Sequence, residues 1–396
     1  MKKGWQTTTL GEAYDVRDGT HDSPKYHEAG YPLITSKNLK SEGLSFDDVQ
    51  MISEQDYTKI NQRSAVHKGD VLFAMIGTIG NPTLVEVEPD FAIKNVALFK
   101  VPSEQSGAFL KHYLDSGWVI SKMTSEAKGT TQKFVGLGYL RGFPIALPPL
   151  AEQQRIVGLL DEAFEGLATA KANAEKNLQN ARALFESHLQ AVFADQWKTG
   201  ELVTLSDLAT DITDGDHLPP PKSPTGVPFI TIGNIVKETR KIDFSDTFMV
   251  PRAYFDALKP YKKPRQGDVL YTVTGSFGIP VIVCDDAEFC FQRHIGLVRP
   301  KPETSSSWLY YLLMSPQLLK QANDGATGTA QKTVSLKLLR SFVVPKVSPK
   351  QQNQAVKKLD ALTEETQRLA RIYERKLAAL AELKKSLLHQ AFTGEL

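Results

Sequence analysis

The sequence predicts an α+β protein: two homologous mixed α/β heads separated by two long antiparallel helices, a coiled-coil-like spacer with internal pseudo-two-fold symmetry. Three observations predict it. The 396-residue chain is written twice, each copy changes character once, and a short connection joins the copies. Thr9-Leu10 returns as Thr204-Leu205, an offset of 195. Asp18-Gly19-Thr20-His21 returns as Asp214-Gly215-Asp216-His217, and Gly30-Tyr31-Pro32-Leu33-Ile34-Thr35 as Gly226-Val227-Pro228-Phe229-Ile230-Thr231, both at 196. Gly69-Asp70-Val71-Leu72 matches Gly267-Asp268-Val269-Leu270 at 198. Gly129-Thr130-Thr131-Gln132-Lys133 matches Gly328-Thr329-Ala330-Gln331-Lys332 at 199, and Leu140-Arg141 matches Leu339-Arg340 at the same offset. The drift of four residues across six anchors is what a few loop insertions produce. A unit this long is a duplicated domain, not a solenoid repeat.

The first head, residues 1–148, carries β-like runs at Pro32–Thr35 and Val71–Ile76 and one helical stretch, Ala108–Ser125. The second, residues 197–348, has the same order: Val269–Val273, Pro280–Val283 and a helical stretch at Trp308–Ala322. Each head passes through proline into a segment free of further prolines (149–196 and 349–396). In the first segment Ile156, Leu160, Ala163, Leu167, Ala170, Ala174, Leu178, Ala181, Phe185, Leu189 and Val192 recur by threes and fours. That spacing puts them on one stripe of a helix. Leu359, Leu362, Leu369, Tyr373, Leu377, Leu380, Leu383 and Leu387 repeat it. Each helix is expected to run about 43 residues, or about 65 Å. The link from Phe193 to Thr204, about ten residues, spans at most about 35 Å. The second head therefore lies at the far end of the first helix, and the second helix returns antiparallel to it.

Composition narrows the function classes. The apolar share of 41% and charged share of 23% exclude a disordered chain, a collagen-like fibre and a disulfide scaffold. No run of eighteen apolar residues occurs, and the start, with Lys2 and Lys3, lacks the apolar core of a signal peptide, so a cytoplasmic location is expected. Cys284 and Cys290 lack a CxxC partner and read as buried small hydrophobes. The net charge of +2 hides segments of −1 (1–148), −2 (149–198), +2 (199–348) and +3 (349–396), so neither head carries the excess that drives tight non-specific DNA binding.

At this point the residues carry a resemblance. Asp214-Gly215-Asp216-His217 with Pro219 to Pro221, Gly226-Val227-Pro228-Phe229-Ile230, Gly267-Asp268-Val269-Leu270, Gly129-Thr130-Thr131-Gln132 and Pro148-Pro149-Leu150-Ala151-Glu152-Gln153-Gln154 resemble the target-recognition domains and helix entries of the specificity subunit of type I restriction-modification systems. The likeness runs through both copies in order, departing at the second helix entry, Pro349-Lys350-Gln351-Gln352. It implies a non-catalytic subunit that reads a split double-stranded DNA target, one half per head, with a spacer set by the helices. It further implies two modification subunits that methylate adenine and two restriction subunits that translocate and cleave. S-adenosylmethionine, ATP and Mg then belong to those partners, and this chain needs no cofactor. A two-headed protein-binding scaffold without DNA readout is the alternative.

Apparent enzyme motifs do not survive inspection. Phe134-Val135-Gly136-Leu137-Gly138 spells a methyltransferase FxGxG, but the chain has no polar-Pro-Pro-aromatic loop, and the second copy reads Thr333-Val334-Ser335-Leu336-Lys337. Asp161-Glu162 has no phosphate-binding loop to serve, and Pro89-Asp90 with Glu126 and Lys128 is too widely spaced for a nuclease metal site. His21 and His217, in matched loops, suit loop stabilisation or DNA contact better than metal. Lys128, Thr130, Thr131, Gln132 and Lys133, repeated as Thr329, Gln331 and Lys332, form a glycine-led polar loop suited to phosphate contact, with a helix-capping turn equally open. Thr78 and Ser276 lie in glycine-flanked turns that either approach DNA or simply reverse the chain. Lys262, Lys263 and Arg265 give the second head a cationic stretch, by default a solvated face and otherwise a phosphate dock. Lys37, Asn38, Asn234, Arg293 and His294 have groups suited to base edges in the major groove.

Overall fold

A computed structural model describes residues 4–396 except Ser41 and Ala330, and leaves out the side chain of Thr199. Lys2, Lys3 and the Ala330 of the repeated glycine-led loop thus lie outside the described residues. The chain divides into two units, Met1–Glu175 with Glu374–Leu396, and Lys176–Tyr373. Each contains one head, the start of one long helix and the end of the other.

In the first unit, strands Asp15–Asp18, Val96–Lys100, Val71–Ala74 and Gly80–Leu84 form an antiparallel sheet in that order. Alternation splits it into two buried faces. Val71, Phe73, Ala97 and Phe99 join the core that takes in the long helices, while Leu72, Ala74, Val96 and Leu98 face a second cluster around Ile34, Val85 and Phe91. Burial on both faces explains why these strands read as unbroken apolar runs. A three-stranded sheet, Gln50–Ile52, Tyr31–Ile34 and Ala92–Ile93, covers one side, and Gln6–Thr9 pairs with Pro144–Leu147 beside the helix entry. The second unit repeats this topology with Ala209–Asp214, Ile295–Pro300, Val269–Thr272 and Pro280–Ile282.

The anchors that revealed the duplication are structural pins. Thr9 and Thr204 cap the turn that follows them, in a capping box with Glu12 and Asp207. A Cβ on Gly19 or Gly215 would stand 2.2 Å from the Ile93 carbonyl or 1.9 Å from that of Phe291, so only glycine lets these chains cross. Asp70 accepts from His67 N–H and Val101 N–H and pairs with Lys100 at 2.8 Å; Asp268 takes Arg265 N–H and both arms of Arg299 at 2.9 and 2.8 Å. Arg141 donates to the Val16 carbonyl and Arg340 to that of Ile212.

The drift in offset is equally concrete. Thr210 is an extra residue at a β-bulge between Ala209 and Asp211. The hairpin joining Ile235–Val236 to Lys241–Ile242 is two residues longer than the one joining Leu39–Lys40 to Gly43–Leu44. The turn between Cys290–Phe291 and Ile295–Pro300 is one residue longer than that between Ala92–Ile93 and Val96–Lys100.

The long helices cover Leu150–Thr199 and Pro349–Thr393. Every member of the first stripe is buried or half-buried. In the first unit Ile156 and Leu160 share a core with Leu388 and Ala391; in the second, Leu189 and Phe193 share one with Ala355 and Leu359. Inside each unit the start of one helix thus lies beside the end of the other, which makes them antiparallel there. One member of the second stripe fails: Leu383 is exposed, and the buried line passes through Leu387, Leu388 and Ala391 instead. The Lys384 ammonium lies 5.1 Å from the Phe164 ring centre and 3.3 Å from Asp115, so its aliphatic stem covers that part of the seam.

Two further expectations are corrected. The helical stretches 108–125 and 308–322 are each two helices, Gly107–Asp115 with Gly117–Ser125 and Ser306–Leu313 with Pro316–Gly325. Ser116 and Ser315 are extended at the breaks; Ser315 caps Leu318 N–H, and Pro316 takes a first-turn position where its missing N–H costs nothing. Cys290 is buried as expected, but Cys284 is exposed.

At each helix entry one glutamine ties helix to head. Gln153, fully buried, accepts from Ser106 N–H at 2.9 Å and donates to the Pro148 carbonyl and Gln105 Oε1 at 2.8 and 2.6 Å. Gln352 accepts from Ser305 N–H at 2.7 Å and donates to the Val347 and Glu303 carbonyls at 3.1 and 3.2 Å. The divergent second entry therefore keeps its working residue. Gln153→Ala or Gln352→Ala leaves buried partners unmet and is expected to cost about 1–3 kcal/mol in urea unfolding, against under about 0.5 kcal/mol for the exposed Gln154→Ala. Equal effects at positions 153 and 154 would refute the clamp.

Candidate nucleic-acid interface

In the first head, four backbone segments meet past the ends of the central strands. Thr20 N–H donates to the Ile93 carbonyl and Asn95 N–H to that of Thr20, which seats the 18–22 loop on the 93–95 turn. Val135 N–H bonds the Met75 carbonyl and Gly77 N–H that of Lys133, which seats the glycine-led loop against the 76–80 turn. That loop closes on itself through Lys128 N–H to Phe134 C=O (3.0 Å) and the reverse bond (2.8 Å). Gly129 has φ +99°, and a Cβ there would stand 2.3 Å from the Gln132 carbonyl, so glycine is obligatory.

The second head builds the same edge. Arg293 N–H donates to the Asp216 carbonyl, Val273 N–H to that of His294, Val334 N–H to that of Val273 and Gly275 N–H to that of Lys332. Thr327 and Thr333 close the loop, and Gly328, φ +111°, meets the Gln331 carbonyl at the same 2.3 Å. Segments that the sequence offers separately therefore form one continuous edge in each head.

Most of the candidates lie on it. Thr78, Lys128, Thr130, Thr131, Gln132 and Lys133 are exposed in the first head, as are Ser276, Thr329, Gln331, Lys332 and Arg293 in the second. Lys37 is exposed on the turn after strand Tyr31–Ile34, whose end bonds Lys94 N–H. His21 bridges Asn95 Oδ1 and Asp18 Oδ2, both at 2.8 Å, and His217 reaches Asp214 Oδ2 at 2.7 Å. The Asn95 amide oxygen and then the Asp18 carboxylate hold the His21 pKa above its ordinary value, favouring an imidazolium on this edge. Asp18 is itself buried and paired with Arg63. His294 is half-buried, and burial followed by the Arg293 charge pushes its pKa down, towards the neutral ring.

Other candidates have different work. Asn38 and Asn234 are 5% and 7% exposed, with their amides spent on their own turns. Asn38 Oδ1 accepts from Thr35 N–H and Oγ1 while Nδ2 donates to the Ser45 carbonyl. Asn234 does the same with Thr231, Asp243 and Asp246. Neither is free to read a base. Lys262 is half-buried, 3.3 Å from the Gly215 carbonyl and 3.7 Å from Asp216, and Lys263 lies 4.9 Å from the Phe255 ring centre while donating to the Asp256 carbonyl. The cationic stretch is thus mostly internal bracing. Arg265 is exposed but precedes strand Val269–Thr272, at its opposite end from the loops.

Sequence reasoning missed Lys94, which donates to Ser23 Oγ, and Asn95, both on the edge; the displaced offset at this turn was the available signal. Of the mimicked enzyme motifs, Asp161 accepts from His112 and Glu126 is held by Lys122 and Tyr139.

Comparison with known proteins places this geometry. Residues 2–178 and 196–374 each match the type I restriction modification DNA specificity domain. The type I restriction enzyme EcoBI specificity subunit of Escherichia coli is 22% identical over 357 residues, 84% of this chain and 74% of that protein. The MjaVIII specificity subunit of Methanocaldococcus jannaschii is 22% identical over 422 residues, spanning all of this chain and 94% of the relative. Among solved structures, a chain from a study of assembly and conformational transition in a type I R-M system superposes with TM-score 0.77 at 21% identity, covering 100% of this chain and 99% of that one. The HsdS subunit from Thermoanaerobacter tengcongensis gives 0.63 at 21% identity, covering 100% and 98%. At such identities the structural likeness speaks for the fold alone.

Proposed function

The chain belongs to the type I restriction modification DNA specificity family, and from that premise we propose that it is the sequence-reading subunit of a restriction-modification complex. The target-recognition domains are residues 1–148 and 197–348, each reading one half of a bipartite double-stranded target. The spacer helices, residues 149–196 and 349–396, set the distance between halves and dock two adenine-modifying subunits, with two restriction subunits joining the complex. The observation that carries this reading is the matched pair of exposed loop edges on one duplicated scaffold, with different side chains on each. Positions both heads share, such as Gln132–Lys133 and Gln331–Lys332, suit sequence-independent phosphate contact, and positions that differ suit base choice. The chain itself supplies no chemistry in this reading: S-adenosylmethionine, ATP and Mg act in the partners, in the cytoplasm.

The test is to assemble the full chain with its modification subunits and map methylated adenines across random-sequence DNA. Methylation at one bipartite sequence is expected; sequence-blind methylation, or none that depends on this chain, would leave only the protein-binding scaffold. Removing one heptad from each helix should then change the spacer while both half-sites stay the same.

A further inference from the structure

The extra residue in the 292–294 turn falls on the edge just described. In the first head the matched turn, Lys94–Asn95, is occupied with itself: Asn95 Oδ1 is taken by His21 and Lys94 donates to Ser23. In the second head, His217 bonds only Asp214 among the described residues, so Arg293 carries no such duty. Its backbone is fixed by Arg293 N–H to the Asp216 carbonyl (3.1 Å) and Ile295 N–H to the Gln292 carbonyl (3.0 Å). Its Nε lies 3.4 Å from His294 Nε2, and its two terminal nitrogens have no hydrogen-bond partner among the described residues. The side chain is exposed, on a turn one strand away from the glycine-led loop that the first head also has.

We infer that Arg293 is the guanine-reading side chain of the second head, so that its half of the target contains a G·C pair that the matched Asn95 of the first head does not select. The inference rests on the DNA-reading function proposed above. A planar guanidinium with Nε engaged and both terminal nitrogens free matches the paired O6 and N7 acceptors on the major-groove edge of guanine. A phosphate contact would use the same charge, but contacts required for every sequence belong at positions common to both heads. Arg293 stands at a position that differs and that has an added residue to present it.

The test uses the full chain with its modification subunits and a duplex library randomised over both halves of the target. Wild type is expected to demand a G·C pair in one half. Arg293→Ala should relax that position alone, by about 5- to 150-fold, the range that about 1–3 kcal/mol of base discrimination represents. Arg293→Lys, which keeps the charge but loses the fork, should relax the same position while preserving the salt dependence of binding. Hydrogen exchange in the second unit should be unchanged in both variants. Uniform weakening across all sequences with a shallower salt slope would make Arg293 a phosphate contact and overturn the inference. So would an unaltered preference, or a wild-type target with no G·C pair in the affected half. Absence of any bipartite target in wild type would instead sink the underlying function.

Discussion

Replacing Asp268 with alanine lowers the stability of the second unit by about 3–5 kcal/mol, a loss typical of a buried charge stripped of its partner. Arg299, whose side chain is 13% exposed, holds Asp268 through two near-parallel bonds, and Asp268 is 3% exposed. A guanidinium cannot discard its proton, so the charge stays buried with only the more distant Asp211 carboxylate and the Lys263 carbonyl beside it. The matched change in the first unit, Asp70→Ala, is expected to cost less. Its partner Lys100 has a flexible stem and can carry its ammonium to water. Thermal melts of the full chain should show a drop of roughly 6–20 °C for Asp268→Ala, with hydrogen exchange accelerating in the second unit and not the first. Adding Arg299→Met should recover part of the loss, because it removes the stranded charge. Equal penalties at positions 70 and 268, or no recovery in the double variant, would show that the pair is not what holds this corner together.

The same residues show why some of the architecture is legible in one sequence. An anchor persists through duplication when a specific group must be there: a carboxylate for Arg299, a hydrogen for Gly215 beneath the Phe291 carbonyl, a guanidinium for the Ile212 carbonyl. Such requirements leave identical letters at fixed offsets, and the offset changes mark where the scaffold was altered. Apolar periodicity reports burial just as directly, which is why the first helical stripe is correct at every position. It falters where a polar residue can meet its hydrogen bonds within the helix, or where an apolar one faces out. Thr366, buried through bonds to the Leu362 and Thr363 carbonyls, completes the second stripe without being apolar, whereas Leu383 is apolar and exposed. The break at Ser315-Pro316 was written in the sequence as a proline after a capping serine; at Ser116-Gly117 the fold imposes the same break with a weaker local signal.

Side-chain chemistry alone located the interface less well, because a residue type does not disclose whether its polar groups are already spent. Asn38 and Asn234 have the right amide for adenine, yet their turns consume it. Lys262 and Lys263 have the right charge, but backbone carbonyls and an aromatic ring claim it. The loops were individually visible through their glycines. Their convergence was not, since it depends on hydrogen bonds between segments about sixty residues apart, such as Gly77 to Lys133.

Removing Lys133 and Lys332 together, the lysine that both heads share, should weaken DNA binding on the order of 30-fold at 0.15 M salt without changing which sequence is preferred. Each ammonium that neutralises a phosphate contributes about 0.9 to the slope of log affinity against log salt. Deleting two such ammonium groups therefore flattens the slope by about 1.8 and, referred to 1 M salt, lowers affinity by about one and a half decades. The effect is large because little else compensates: the segment 1–148 has a net charge of −1, and the second head's cationic stretch is largely turned to internal use. For the same reason the isolated chain should bind DNA weakly and the complex with its modification subunits tightly. The comparison to make is a salt titration of that complex, wild type against the double lysine-to-alanine variant, on its own target and on random duplex. A parallel loss on both duplexes with the flattened slope supports phosphate contact by the shared loops. A loss confined to the specific target would make these lysines base readers, and an unchanged slope would remove the loops from the interface.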